Sequence, residues 1–158
     1  MAEDEKKESE ATEEDKDSEV EKEVSKSEDS SAVRNILIID DSKALRRVLA
    51  KYISTKFHCE ILEADNGKIG IEIVEKKDGD IDLILCDLMM PVMDGLTCIK
   101  ELKTHEKFKS IPIICLTAKS DKNTVTSCVK LGATDFIVKP YDLASVSTKI
   151  SKFINLKL

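Results

Sequence analysis

Five short apolar runs, each followed by a segment with helical spacing, constrain the fold of this chain more than any other feature. The runs span 35–40, 59–63, 81–87, 112–117 and 135–138. Runs of this length suit strands that are buried on both faces. Because parallel strands need crossover connections, and those crossovers are right-handed, five strand–helix units predict an α/β fold. We expect a five-stranded parallel sheet with helices on both faces.

The predicted helices each present one apolar stripe to this sheet. The first begins after Ser42, a favourable N-cap, and the next three cover about 66–77, 96–105 and 122–131. Gly70 lowers the helix propensity of the second. We expect the following side chains to face inward: Ala44, Leu45, Val48, Leu49, Tyr52, Ile53, Ile69, Ile73, Val74, Leu96, Ile99, Leu102, Leu143, Val146, Ile150, Phe153 and Ile154.

Charge divides the chain into two segments. Residues 1–32 contain fourteen acidic residues and five lysines, whereas residues 33–158 contain twenty basic and seventeen acidic residues. The first segment has too little apolar surface to fold, so we predict a disordered acidic tail at 1–32 and one domain at 33–158. The tail is interpreted as solubilising or, alternatively, as a shield for a basic surface of its own domain.

Composition disfavours several classes of protein. The chain has no run of eighteen apolar residues and opens with Met-Ala-Glu-Asp-Glu, so we expect a cytoplasmic protein with no membrane contact. Its five cysteines form no CxxC pair and lie mostly in apolar runs, which predicts buried reduced thiols and gives a zinc site little support. The weak positive balance of the domain does not favour nucleic-acid binding.

Polar residues stand where the predicted strands end. Asp40 and Asp41 follow the first strand, Asp87 ends the third, Thr117 the fourth and Lys139 the fifth. An Asp such as Asp87 commonly caps a loop, and Lys139 could be an ordinary surface lysine. However, the carboxyl ends of parallel strands meet at one edge of the sheet, where ligands bind. The five residues together predict one site.

The chemistry of that site follows from its charges. Three neighbouring carboxylates repel one another, so either their pKa values rise or a cation neutralises them. Oxygen ligands favour Mg²⁺, which keeps positions for phosphate oxygens, and a carboxylate can be the nucleophile that forms an aspartyl phosphate. Since phosphoryl transfer needs mainly positioning and charge neutralisation, Mg²⁺, Lys139 and the Thr117 hydroxyl would supply what the protein must provide.

Four motifs carry a family resemblance. Ile-Ile-Asp-Asp-Ser, Cys-Asp-Leu-Met-Met-Pro-Val-Met-Asp-Gly, Leu-Thr-Ala-Lys and Gly-Ala-Thr-Asp-Phe-Ile-Val-Lys-Pro occur in this order. Together they closely resemble the receiver domain of two-component response regulators, over residues 34–158. The resemblance implies a flavodoxin-like (βα)5 fold with strand order 2-1-3-4-5.

The resemblance also implies individual residue roles. Asp87 would be the phosphoacceptor, taking phosphate from a phosphohistidine on a sensor histidine kinase. Asp41, Asp87 and the backbone carbonyl of Met89 would bind Mg²⁺ directly, while Asp40 would bind it through a water. Lys139 would pair with the carboxylate and then with the phosphate.

The conformational switch implied by the resemblance involves Thr117 and Phe136. Thr117 would move toward the phosphate, and Phe136, which lacks the hydroxyl of the more familiar Tyr, would then turn inward. The Lys139-Pro140 peptide would be cis. Met89 and Lys119 occupy the variable positions that flank the family's site and influence the lifetime of the phosphate.

We expect a monomeric signalling switch without an output domain, which promotes only its own phosphorylation and dephosphorylation. The Asp-Asp-Ser-Lys-Ala-Leu-Arg-Arg segment most resembles chemotaxis regulators of the CheY-like, single-domain type, which implies a flagellar motor switch as the downstream target. The alternative is a phosphorelay intermediate that passes phosphate to a histidine phosphotransfer protein. Four lysines at or near the surface of the fourth helix, fifth strand and fifth helix are interpreted as solvation or as a docking face for an acidic partner: Lys119, Lys122, Lys130 and Lys149.

Two competing functions are weaker. A phosphatase with an aspartyl intermediate needs a second Asp two residues after its nucleophile as general acid, and Met89 holds that position here. An inert receiver-like interaction module would have no need for the complete set of site residues. Retention of that set favours the phosphoacceptor.

Overall fold

Five parallel strands form one sheet in the computed structural model, which describes residues 32–118 and 122–154. The strands are β1 (Arg34–Ile39), β2 (Cys59–Ala64), β3 (Leu83–Asp87), β4 (Ile113–Thr117) and β5 (Asp135–Val138). Their order across the sheet is β2-β1-β3-β4-β5. This order confirms the predicted flavodoxin-like α/β fold. The predicted acidic tail, apart from Ala32, and Lys119 lie outside the described residues.

Five helices cover the two faces of this sheet. They are α1 (Lys43–Lys56), α2 (Gly67–Lys76), α3 (Gly95–Thr104), α4 (Lys122–Leu131) and α5 (Leu143–Ile150). Leu49 of α1 and Val146 of α5 are buried in one core cluster, against Ile36 and Ile38 of β1. Helices α2, α3 and α4 contribute to a second cluster on the opposite face. The predicted two-faced covering is therefore confirmed.

Polar N-cap side chains set where most of these helices begin. Ser42 accepts a hydrogen bond from the backbone N–H of Leu45, which confirms the predicted cap of α1. Three further caps repeat the arrangement at α2, α3 and α5: Asn66, Asp94 and Asp142. Each cap satisfies a backbone donor that the first helical turn leaves without an intrahelical acceptor. The four caps therefore fix where α1, α2, α3 and α5 begin.

Three residues predicted to face the core are instead exposed: Ala44, Val48 and Ile69. Helix α2 turns Gly67, Gly70 and Val74 toward the sheet, so Ile69 lies at the edge of the buried face. A Cβ atom on Gly70 would lie 2.5 Å from Cδ1 of Ile39. Gly70 therefore allows α2 to approach β1 closely, and its low helix propensity is offset by packing.

Two predicted strands began too early. Strand β3 starts at Leu83 and not at Ile81, because Asn35 pairs at this point with the side chain of Asp82: the Asn35 N–H donates to Asp82 Oδ2 at 2.8 Å. Ile81 is nevertheless buried. Strand β4 starts at Ile113, after Pro112, which has no N–H to donate to a sheet.

The five cysteines are free thiols, as predicted, and four are buried: Cys86, Cys98, Cys115 and Cys128. Burial raises the pKa of Cys115 well above its ordinary value, so this thiol stays protonated. Within the described part of the chain, no helix is both long and apolar enough to span a bilayer.

Candidate functional site

Three carboxylates meet at the carboxyl edge of the sheet. Asp40 and Asp41 directly follow β1, and Asp87 ends the neighbouring strand β3. One carboxylate oxygen from each of the three lies within 4.8 Å of the others. Asp40 is fully buried and Asp87 is 5% exposed, whereas Asp41 is open to solvent. The structure thus brings the three predicted acids together.

Lys139 completes this cluster from β5. Its Nζ lies 3.2 Å from Asp40 Oδ2 and 3.3 Å from Asp87 Oδ2. The backbone N–H of Lys139 donates to the carbonyl of Thr117 at 2.6 Å, which ties the end of β5 to the end of β4. The Lys139-Pro140 peptide is cis, as predicted. One ammonium group therefore bridges two carboxylates that would otherwise repel each other.

Backbone N–H groups orient both buried carboxylates. The N–H of Ser42 donates to Asp40 Oδ1 at 2.9 Å, and the N–H of Met89 donates to Asp87 Oδ1 at 3.3 Å. Each carboxylate thus receives a backbone donor on one oxygen and Lys139 on the other. The Met89 side chain is 75% exposed beside the site. Metal binding by the Met89 carbonyl stays a prediction.

The environment of Asp87 disfavours its ionised form. Burial raises the pKa of Asp87 above its ordinary value, and the Asp40 carboxylate adds to this rise, although Lys139 and the Met89 N–H oppose it. Ionised Asp87 would therefore be stabilised by further positive charge. Three carboxylates with oxygens this close, one of them open to solvent, fit a hard divalent cation such as Mg²⁺.

Two residues near the cluster were missed by the sequence reasoning. Arg46 of α1 donates from Nη1 to the backbone carbonyl of Asp40 at 2.6 Å. The hydroxyl of Tyr141 is buried and has no hydrogen-bond partner among the described residues. Burial, with smaller effects of Asp40 and Asp87, raises the pKa of Tyr141 to about 12. Neither position shows a sequence signal, because the contact of Arg46 and the burial of the Tyr141 hydroxyl both depend on the tertiary fold.

The predicted switch residues occupy neighbouring strands. Thr117 ends β4, is 5% exposed and is paired in register with Val138. Phe136 is half-buried in β5 and packs against the core cluster that contains Cys115. Thr117 therefore lies beside Lys139, to which its carbonyl is hydrogen-bonded, whereas Phe136 lies further along β5, and the participation of both residues in a switch stays a prediction.

A charged pair covers the outer side of Phe136. Lys149 Nζ lies 2.9 Å from Asp135 Oδ1 and 5.6 Å from the centroid of the Phe136 ring. The same Asp135 oxygen accepts a hydrogen bond from the Phe136 N–H at 2.8 Å. A cleft of about 310 Å³ lies between β5 and α5 and includes Phe136, Tyr141 and Lys149 in its lining. A movement of Phe136 would therefore change the surface of this cleft.

The arrangement as a whole suits phosphoryl chemistry. Asp87 offers a carboxylate oxygen as a nucleophile, while Lys139 supplies an ammonium group next to it. The acidic cluster can hold a cation that neutralises phosphoryl oxygens. Transfer of a phosphoryl group requires little more from a protein than such positioning and neutralisation.

Comparison with known proteins gives a consistent result. Residues 36–151 match the family model described as the response regulator receiver domain. The chemotaxis protein CheY-3 of Vibrio cholerae is 30% identical over 90 residues, which cover 57% of this chain and 68% of that protein. The sensor histidine kinase CheAY of Helicobacter pylori is 37% identical over 97 residues, or 61% of this chain and 12% of that protein. The chain covers between 4% and 26% of the length of four curated relatives.

A solved structure agrees with these sequence matches. The CheX-CheY-BeF3-Mg²⁺ complex from Borrelia burgdorferi superimposes with a TM-score of 0.70 at 29% sequence identity. The match covers 75% of this chain and 87% of that one.

Proposed function

Because the chain belongs to the response regulator receiver domain family, we propose that it is a phosphorylation-dependent signalling switch of a two-component system, with Asp87 as the phosphoacceptor. The proposal depends on one observation above all. The Lys139 ammonium bridges the carboxylates of Asp40 and Asp87 at the carboxyl edge of the sheet, with Asp41 beside them. This arrangement holds the nucleophile and a counter-charge for the phosphoryl group in contact.

Phosphorylation would proceed by direct transfer from a phosphohistidine of a sensor histidine kinase. An oxygen of Asp87 forms a bond to phosphorus as the bond from phosphorus to the histidine nitrogen breaks, and that nitrogen keeps the electron pair. Asp41, Asp87 and the Met89 carbonyl would hold Mg²⁺ directly, with Asp40 acting through a water. The ion, when bound, supplies positive charge to the phosphoryl oxygens.

The other site residues respond to the new phosphoryl group. The Met89 N–H and Lys139 Nζ already contact Asp87 and would donate to it and to its phosphate. We propose that the Thr117 hydroxyl moves toward the phosphate and that Phe136 fills the space that it leaves. These two movements would change the shape of the cleft between β5 and α5. Phosphorylation of Asp87 would in this way alter a surface to which a partner can bind.

The direct test is phosphorylation with acetyl phosphate and Mg²⁺, followed by intact mass measurement. The wild type should gain the mass of one phosphoryl group, and Asp87→Asn should not. Asp94→Asn is the matched control, because Asp94 is a nearby acid that only caps α3. A wild type without a gain, or an Asp87→Asn variant that retains it, would defeat the assignment.

Chemotaxis is the pathway that the comparisons favour. CheY-3 of Vibrio cholerae is a chemotaxis protein, and the Borrelia burgdorferi structure contains CheY in complex with CheX. We therefore propose a flagellar motor switch protein as the downstream partner. A pull-down with phosphorylated protein, compared with Asp87→Asn, tests this: capture of a histidine phosphotransfer protein instead would favour the phosphorelay.

The partner surface is proposed to include the exposed lysines of α4. Lys122 and Lys130 are exposed, whereas Lys149 is paired with Asp135. The two exposed lysines are therefore more available to an acidic partner. Partner affinity should fall in a variant with Lys122→Glu and Lys130→Glu, and unchanged affinity would assign these lysines to solvation alone.

The proposal also includes the domain boundaries, the oligomeric state and the cellular location of the protein. We propose that residues 33–158 form the receiver domain and act as a monomer that catalyses no reaction on other molecules. We place the protein in the cytoplasm because its five cysteines are free thiols, as is usual in a reducing compartment. The acidic segment at 1–32 gives the full chain its net charge of −6.

A further inference from the structure

Arg46 connects three elements next to the acidic cluster. It lies in the first turn of α1, donates from Nη1 to the carbonyl of Asp40 at 2.6 Å, and pairs through Nε with Glu63 of β2 at 3.2 Å. Its side chain is only 13% exposed, so the guanidinium is packed and not merely solvated. A planar guanidinium presents its donors in a rigid fork, so it holds two acceptors in a more strictly fixed geometry than the rotatable donors of an ammonium group on a flexible stem.

Asp40 is fixed by hydrogen bonds on every polar group. Its N–H donates to the carbonyl of Ala64 at 3.0 Å. Its carboxylate accepts from Ser42 on Oδ1 and from Lys139 on Oδ2. The remaining group is the backbone carbonyl, which accepts from Arg46. Arg46 therefore sets the orientation of the peptide that leads from Asp40 into the next residue.

The next residue is Asp41, the exposed member of the acidic cluster. Within residues 32–118 and 122–154, no side-chain hydrogen bond to the Asp41 carboxylate is found. Its reach into the acidic cluster therefore depends on where the backbone places the Cα atom of Asp41. Since the peptide group is planar, a bond to the Asp40 carbonyl also fixes the N–H and the Cα position of Asp41.

We propose that Arg46 is a positioning residue for metal binding. By holding the peptide that joins Asp40 to Asp41, it places the Asp41 side chain in the acidic cluster. This inference rests on the proposed Mg²⁺ site and assigns a residue outside the set of ligands to it. Loss of an outer residue that orients a metal ligand usually weakens metal affinity by about 10- to 100-fold.

Charge alone predicts the opposite result. A guanidinium beside three carboxylates competes with a divalent cation for their negative charge, so its removal should strengthen Mg²⁺ binding. Positioning predicts that its removal weakens binding. The sign of the change in affinity therefore separates the two explanations.

The test is calorimetric titration of Mg²⁺ into the full chain. Arg46→Met should weaken Mg²⁺ binding by about tenfold, and Arg46→Lys should also weaken it, because a lysine lacks the rigid fork that holds the Asp40 carbonyl and Glu63 in one geometry. Arg47→Met is the matched control: Arg47 is the next residue, carries the same charge and is exposed. Its affinity should stay within about twofold of wild type.

Each outcome has a separate meaning. Equal or tighter Mg²⁺ binding by Arg46→Met would overturn the positioning inference. Absence of Mg²⁺ binding by the wild type would defeat the proposed metal site itself. If Arg46→Met fails to fold, Glu63→Met removes the oxygen that accepts from Arg46 Nε and should weaken Mg²⁺ binding by about threefold, a smaller part of the usual loss. Unchanged affinity in that variant would equally overturn the inference.

Discussion

Gly95→Ala should displace Asp87, the proposed phosphoacceptor. Gly95 is the first residue of α3, and a Cβ atom there would lie 2.3 Å from the carbonyl oxygen of Asp87 and 2.7 Å from the Cα of Leu88. Both are backbone atoms, so no change of rotamer can relieve the contact. Ordinary contacts begin near 3.4 Å, so α3 and the end of β3 must separate by about 1 Å.

The displacement has two measurable consequences. Overpacking of this kind costs about 1–3 kcal/mol, which urea unfolding would report as a lower free energy of unfolding. A shift of about 1 Å in a reacting group can cost up to about 100-fold in rate, so phosphorylation by acetyl phosphate should slow by about 10- to 100-fold.

Gly132→Ala separates displacement from general instability. Gly132 has a φ of +106°, and its Cβ would meet only the flexible Lys103 side chain, at 3.2 Å. The strained backbone should cost about 1–2 kcal/mol, similar to Gly95→Ala, with a normal phosphorylation rate. Equal rates in the two variants, or an unfolding free energy of Gly95→Ala within about 0.5 kcal/mol of wild type, would refute the reasoning.

Three further predictions concern stability. The raised pKa of Asp87 means that its contribution to stability is complete below its ordinary value of 3.8 and is lost as the pH rises through its folded value. Asp87→Asn should therefore be more stable than wild type at neutral pH, and urea unfolding at pH 3 should show no such advantage. The pKa of Asp135 is shifted in the opposite direction. Burial acts to raise this pKa, but Lys149 and the Phe136 N–H outweigh burial and lower it. Lys149→Met should lower the free energy of unfolding by about 1 kcal/mol at pH 7, and this loss should disappear as acid protonates Asp135. A loss of the same size in acid would argue against the ion pair between Lys149 and Asp135. Val92 is 79% exposed and has a φ of +67°, a conformation that strains a β-branched residue, so Val92→Asn should stabilise the protein by about 1 kcal/mol and raise its melting temperature. An unchanged or lower melting temperature would contradict the strain.

The spacing of the apolar residues, together with the polar residues that follow the strands, predicted most of the architecture. Apolar runs located all five strands, and the residues after them, such as Asp40 and Lys139, meet at one edge of the sheet. The order of the strands came from the family resemblance, because alternation alone does not define which strands are neighbours. The helix faces were predicted less accurately: on α2, Val74 is buried as predicted, but close packing at Gly70 leaves Ile69 at the exposed edge of that face.

Contacts between distant parts of the chain could not be predicted in this way. Arg46 of α1 pairs with Glu63 of β2. This ion pair can form only when β2 lies beside β1 in the folded sheet. The pKa of Asp87 depends on burial and on the distances to Asp40 and Lys139, which only the tertiary structure provides. The types of residue at the site could be predicted from the sequence, whereas the distances between residues from distant parts of the chain could not.

The central claim is that the phosphoryl group bonds to Asp87. Protein treated with acetyl phosphate and Mg²⁺ can be reduced with borohydride, which converts an aspartyl phosphate into homoserine, and the altered residue can then be located by tandem mass spectrometry. We expect homoserine at position 87 and aspartate at positions 40 and 41. Homoserine at Asp40 or Asp41, or an unmodified chain, would contradict it.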